Sequence, residues 1–200
     1  MVLLGKTGVE LPGDTKGIFR DQSKVTSVDL ATYSFGQRFG VTPLQMVNAA
    51  CAIANGGTLM KPRIVKEIKD SGGNTIQTIE PVEYRKVVSE ETSKEVLSMM
   101  SSVVNDNGTG RNAKLQYYTV GGKTGTSEMG TNTDKYTASF LGVAPTDNPE
   151  IVVLVALLGL KDNDEHGGGA LAAPIAKNVM LDTLEYLEIK ENINLKSNPN

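Results

Sequence analysis

Tryptophan is absent, cysteine and histidine occur once each, and there are only four phenylalanines in 200 residues. Each scarcity removes a class of chemistry. A single cysteine excludes an internal disulfide, and Cys51 lies in an apolar helical run, where a small buried side chain is the expected role rather than a reactive thiol. The lone histidine, His166, sits in Asp162-Asn163-Asp164-Glu165-His166 ahead of three glycines. A metal site needs further ligands converging from elsewhere, so this stretch reads as a solvated acidic loop and His166 is assigned no role. No metal and no cofactor are expected.

Long apolar runs are also missing. Ile151 to Leu160 is the longest candidate, and ten residues are too few to span a bilayer, so it reads as a buried strand. The N-terminus lacks the basic-then-apolar pattern of a secretory signal. A net charge of -3 gives no general attraction to nucleic acid or to an anionic membrane. Any preference for an anionic ligand must therefore be local.

What is present supports one globular domain: 39% hydrophobic and 22% charged residues, with 21 glycines that make the chain turn-rich. The most chemically dense stretch is Val120-Gly121-Gly122-Lys123-Thr124-Gly125-Thr126-Ser127. A phosphate-binding loop would need a glycine five residues before Gly122, and that position is Tyr117. The earlier copy, Lys6-Thr7-Gly8, has no residues far enough upstream to supply one. Nucleotide binding at Lys123 fails on that count. Tyr117 to Val120 carry strand propensity and a second strand pattern resumes at Tyr136, which puts Lys123 to Thr126 on a strand. Alternation sends Lys123 and Gly125 to one face and Thr124 and Thr126 to the other. On an exposed edge, Gly125 would leave room for a peptide-like ligand added as a further strand, and Lys123 with the hydroxyls suits a carboxylate.

The rest of the chain reads as scaffold. Residues 1–40 show no sustained period and are expected to be irregular, with a turn at Leu11-Pro12-Gly13-Asp14. Thr42-Pro43-Leu44-Gln45 is a helix start: a threonine cap, proline at the first helical position and a glutamine that completes a capping box. Its stripe is Leu44, Val47, Cys51 and Ala54, stopped by Asn55-Gly56-Gly57. Ile64 to Lys69 and Thr75 to Ile79 flank Ser71-Gly72-Gly73-Asn74 as a β-hairpin. A second helix, capped by Ser89 and running over about Glu90 to Asn105, would turn Val96, Met99, Met100 and Val103 inward. Asn105 to Gly110 is a turn, since Asp106 lacks the later ligands of a calcium loop. The Lys123 strand is expected from Leu115, a strand at Tyr136 to Val143 follows, and Glu150 to Leu158 returns buried on both faces. Three such strands make an antiparallel meander with the Lys123 strand at its edge. A helix over Ala170 to Leu187 covers it with Ala172, Ala176, Val179, Met180, Thr183, Leu184 and Leu187, and residues 190–200 are a polar, frayed tail.

Lys123-Thr124-Gly125-Thr126 is also the Lys-Thr-Gly element of penicillin-binding proteins and class A β-lactamases. Further stretches, in that family's order, resemble the transpeptidase domain of class B penicillin-binding proteins of the sporulation and cell-division type. They include Gly8-Val9-Glu10-Leu11-Pro12-Gly13, Ser34-Phe35-Gly36-Gln37, Val41 to Met46, Asn55-Gly56-Gly57, Gly108-Thr109-Gly110, Ser139-Phe140-Leu141-Gly142 and Ala172-Ala173-Pro174. The resemblance implies an α+β fold, an antiparallel sheet covered by helices. It also implies one domain portion over 1–190, divided as 1–40 irregular, 41–110 helices and hairpin, 111–190 the Lys-Thr-Gly strand with two further strands and a helix, and then a tail over 191–200.

No serine here has a lysine three residues later or an asparagine two residues later. The nucleophile element and the second active-site element, which in the family lie upstream of the Leu-Pro-Gly segment, are not in this chain, so it resembles the C-terminal portion of the domain. The resemblance implies a peptidoglycan D,D-transpeptidase on the outer face of the bacterial membrane, anchored by an upstream segment, with stem peptides and β-lactams as ligands. Lys123 would supply positive charge, Thr124 and Thr126 would bind the terminal carboxylate, Gly125 would keep the edge clear, and the Thr126 backbone N–H would serve the oxyanion hole. Ser127, with no general base beside it, is not read as a nucleophile. A D,D-carboxypeptidase or β-lactamase relative, and a non-catalytic module that binds peptidoglycan or a partner, are the alternatives. Apolar surface left by the missing elements suggests self-association.

Overall fold

A computed structural model describes residues 5–130, 134–161, 165 and 167–193. The chain forms two compact units: residues 1–52 with 57–89, and residues 53–56 with 90–200.

In the first unit, the stretch expected to be irregular contains a seven-residue helix, α1 (Ser27–Tyr33). Its start is a capping box that sequence reading missed: Thr26 Oγ1 accepts from the Asp29 N–H at 3.2 Å, and Asp29 Oδ2 accepts from the Thr26 N–H at 2.9 Å. Asp29 is buried, paired with Arg20 at 3.0 Å and Arg38 at 3.1 Å. The Thr26 bonds first, then the two guanidinium groups, pull its carboxyl down to about 2. Phe19 stacks on Phe39 and Tyr33 meets Phe39 edge-on, so aromatics close this region where regular periodicity is absent.

Helix α2 (Pro43–Ala54) begins as its sequence requires: the Gln45 N–H donates to Thr42 Oγ1 at 3.2 Å and the Thr42 N–H to Gln45 Oε1 at 2.8 Å. Its apolar stripe is corrected. Leu44, Val47, Cys51 and Ala54 are half-buried, whereas Gln45, Ala50 and Ala52 are the buried positions. The glutamine tolerates burial because its Nε2 donates to the Gly5 carbonyl at 2.7 Å. Burial raises the Cys51 thiol, which disfavours the thiolate. Asn55-Gly56-Gly57 ends the helix with both glycines at positive φ.

Strand β1 (Thr58–Met60) pairs with β4 (Glu83–Lys86), and β2 (Glu67–Lys69) with β3 (Thr75–Thr78), all antiparallel. The β2–β3 hairpin is shorter than its apolar pattern suggested, and its turn is held by Asp70, which accepts from the Gly72 and Asn74 N–H groups at 2.9 Å. The β1–β4 pair was not legible, because β4 is four exposed polar or aromatic residues with no alternation.

The second unit is a three-stranded antiparallel meander, β5 (Gly121–Glu128), β6 (Lys135–Ala144) and β7 (Ile151–Lys161), in that spatial order. Helices α3 (Glu90–Val104) and α4 (Gly168–Tyr186) pack on it. Beneath β6, Phe140 and Met180 are wholly buried and meet under Gly142. Helix α4 buries Ala172, Ala173, Ala176, Met180 and Leu184, while Val179 is 43% exposed and Leu187 projects outward: the inward face is a narrow i, i+4 row. Helix α3 is likewise rotated from expectation. Ser93, Leu97 and Val104 are its buried positions, Val96, Met100 and Val103 are half-buried, and Met99 is 67% exposed.

Three further expectations are corrected. Residues 115–120 precede β5 but are not strand: Tyr118 is buried with its hydroxyl donating to the Ile189 carbonyl at 2.9 Å, and the Tyr117 carbonyl accepts from Asn192 and Ile193. Strand propensity yields there to bonds with the chain's end. For the same reason residues 190–193 are tied down, with Asn192 Oδ1 accepting from the Thr119 N–H at 2.9 Å. Finally, β7 is not buried on both faces. Among the described residues it pairs only with β6, and Leu158 is 69% exposed beside Gly159, the extra residue of a bulge opposite Tyr136 and Thr137. His166 and residues 194–200 lie outside the described residues.

Candidate functional site

Strand β5 pairs with β6 residue for residue, Lys123 opposite Leu141, Thr124 opposite Phe140, Gly125 opposite Ser139 and Thr126 opposite Ala138. Among the described residues no strand adds to its other side, so the Lys-Thr-Gly-Thr stretch lies on a sheet edge. The earlier copy has a different setting. Thr7 is buried, its hydroxyl and N–H donate to Asp14 Oδ1 at 3.1 and 3.2 Å, and Gly8 holds a positive φ. That copy is a structural turn locked by an aspartate whose carboxyl is lowered chiefly by the Gly8 N–H.

Thr124 and Thr126 point toward the first turn of α4 and the loop that follows α3. The two hydroxyls Thr109 Oγ1 and Thr124 Oγ1 are 3.0 Å apart, and the Gly168 N–H donates to Thr126 Oγ1 at 3.3 Å. Asn112 Nδ2 donates to the Gly169 carbonyl at 2.9 Å, which ties the loop to the same turn. The N-cap Gly167 makes no side-chain cap bond, and the positive end of the helix lies next to the two threonine hydroxyls, with the Gly168 N–H bonded to one of them.

Glycine is required here by space. A Cβ on Gly168 would run into the Ser139 and Gly125 carbonyls, and one on Gly169 into the Thr109 carbonyl. At Gly125 a Cβ would stand 2.5 Å from Ser139 Oγ, so its smallness serves the neighbouring strand as well as an open edge. Lys123 is exposed and its Nζ donates to the Thr124 carbonyl at 2.8 Å. Ser127 is half-buried farther along the strand. Near the loop, Asp106 pairs with Lys114 at 2.6 Å, which lowers its carboxyl, and no metal-holding group of acidic, cysteine or histidine side chains occurs among the described residues.

Sequence reading gave the four strand residues and placed Thr109 in a family-like stretch, but assigned no role to Thr109, Asn112, Gly168 or Gly169. The available signal was density: two glycine clusters, 108–110 and 167–169, separated in the chain and packed on one strand in space.

The sequence model for the penicillin-binding protein transpeptidase domain matches residues 2–181. Stage V sporulation protein D of Bacillus subtilis is 42% identical over 194 residues, which cover 94% of this chain and 30% of that protein. Penicillin-binding protein PbpB of Mycobacterium tuberculosis is 32% identical over 97% of this chain and 30% of its own length. Among solved structures, the transpeptidase domain of Burkholderia pseudomallei penicillin-binding protein 3 superposes with a TM-score of 0.81 at 33% identity, covering 96% of this chain and 57% of that one. Penicillin-binding protein 3 of Mycobacterium tuberculosis, complexed with aztreonam, gives 0.83 at 30% identity, over 97% of this chain and 46% of that one. The chain thus spans about a third of the curated relatives, and its α+β architecture of antiparallel sheet and covering helices is theirs. It belongs to the family of penicillin-binding protein transpeptidase domains.

Proposed function

We propose that this chain contributes the carboxylate-binding wall of a peptidoglycan D,D-transpeptidase, with the serine nucleophile supplied by a segment of the whole protein outside these 200 residues. Both compact units then belong to one transpeptidase domain, in keeping with a family match that runs through both. The observation that carries the reading is the edge strand itself: a cation, two hydroxyls and a glycine in sequence, with a helix N-terminus behind the hydroxyls.

In this reading a stem peptide lies along β5 as an added strand. Lys123 provides positive charge for the substrate carboxylate and for proton transfer, and Thr124 and Thr126 donate to that carboxylate. The Thr126 N–H forms half of the oxyanion hole, where loss of one donor typically costs about 10² to 10³ in rate. The serine's attack on the penultimate D-alanine carbonyl expels D-alanine, and an amine from a neighbouring stem accepts the acyl group. β-Lactams acylate the same serine. The whole protein works at the outer face of the membrane; no helix among the described residues is long and apolar enough to cross one.

Positioning without the nucleophile yields no acyl-enzyme. The chain by itself is therefore expected to gain no covalent mass on incubation with a reactive penicillin, as read by intact-protein mass spectrometry. A stoichiometric adduct, on Ser127 or any other residue, contradicts this division of labour. Self-association through exposed apolar side chains belongs to the same reading, and light scattering across a concentration series tests it.

A further inference from the structure

A carboxylate ligand needs donors, and a threonine hydroxyl is a donor only if its single proton is not already committed. Thr126 meets that condition by construction, since its Oγ1 accepts from the Gly168 N–H and its proton remains free. Among the described residues the hydroxyl partner of Thr124 is Thr109 Oγ1 at 3.0 Å, and the geometry allows either oxygen of that pair to be the donor. If Thr124 donated to Thr109, it would present lone pairs to an anion and repel it. If Thr109 donates, Thr124 turns its proton outward, and the two hydroxyls of the strand become matched donors.

We propose that Thr109 is a positioning residue for the carboxylate site: its hydroxyl donates to Thr124 Oγ1 and thereby fixes Thr124 as a donor. The proposal rests on the carboxylate reading of the β5 edge given above. The loop that carries Thr109 is braced on both sides of it. The Gly108 N–H donates to the Asn105 carbonyl at 2.7 Å, and the Gly110 N–H to the Val103 carbonyl at 2.8 Å. Its backbone carbonyl lies against Gly169, where no side chain fits, and Asn112 holds the Gly169 carbonyl. The Thr109 hydroxyl is thus held on a short, pinned loop, and the same turn of α4 that polarises Thr126 supports the loop that polarises Thr124. Charge-assisted donors of this kind are stronger than neutral ones, and a donor behind a donor adds to that strength.

The test uses nuclear magnetic resonance on the whole chain with N-acetyl-D-alanyl-D-alanine as probe. Three-bond couplings to Thr124 Cγ2 report its χ1 rotamer without ligand, and titration gives affinity. In the unaltered chain Thr124 holds one rotamer. Thr109→Val keeps the side-chain shape and removes the hydroxyl, so Thr124 averages among rotamers and affinity falls about tenfold. Thr109→Ser restores the single rotamer and brings affinity back to within about twofold of the unaltered chain. Thr124→Val loses the same affinity, and adding Thr109→Val to it costs nothing more. A Thr124 rotamer and a probe affinity both indifferent to Thr109→Val overturn the proposal and leave the carboxylate reading standing. Failure of the unaltered chain to bind the probe overturns the carboxylate reading, and the proposal with it.

Discussion

Asp29 and Lys123 show how differently charge is used within one chain. Asp29 is enclosed by two arginines and a helix cap, and its carboxyl titrates near 2 rather than in the ordinary range. Its folded value lies below its unfolded value of about 3.9, so the stability it contributes is fully present above that pH and is lost as pH falls through about 2. Asp29→Asn should lower the urea midpoint at neutral pH, with the gap to the unaltered chain closing between about pH 4 and 2. A gap that stays constant over that window would remove the carboxylate from the account. Lys123 was visible from sequence because it stands between glycines beside two hydroxyls. Asp29 was not, because Thr26 and Asp29 have capping-box spacing but no periodic apolar run follows them, and its arginine partners are nine residues away on either side.

At the scale of elements, burial follows packing partners more closely than the apolar pattern. Strand β6 is central, and Phe140 on it has no exposed surface; strand β7 is an edge, and Leu158 on it is largely open. Phe140→Ala should therefore cost about 3–5 kcal/mol of stability, whereas Leu158→Ser should stay within about 0.5 kcal/mol, both measured by chemical denaturation. A large cost at Leu158 would show that the strand is covered in solution. The three strands, their order and the two helices that pack on them were legible, because the strand pattern at Tyr136 to Val143 and the apolar run from Ile151 are joined by one short proline-bounded turn. Helix rotation was not. In α3 the inward face runs through Ser93 and Leu97 rather than Met99, and the polarity of Ser93 argues against placing it inside. The stretch before β5 failed for a related reason. Its tyrosines carry strand propensity, but their bonds go to Ile189, Asn192 and Ile193, some seventy residues later in the chain.

For the whole molecule, the candidate site is assembled from three separated stretches: residues 108–112, 121–128 and 167–169. Sequence shows the middle one because its chemistry is contiguous, while the outer two supply a hydroxyl, an amide and a helix N–H whose roles appear only when the stretches meet in space. On the proposed reading, this assembly is the part of a serine transpeptidase that recognises the substrate carboxylate. The most direct measurement is fluorescent-penicillin labelling of this chain and of a longer protein that carries its native upstream segment, each with and without Lys123→Ala. The account predicts labelling of the longer protein only, slowed by about 10² or more when Lys123 is removed. Labelling of neither, with both folded, would contradict it and make the chain a binding module without acyl-transfer chemistry.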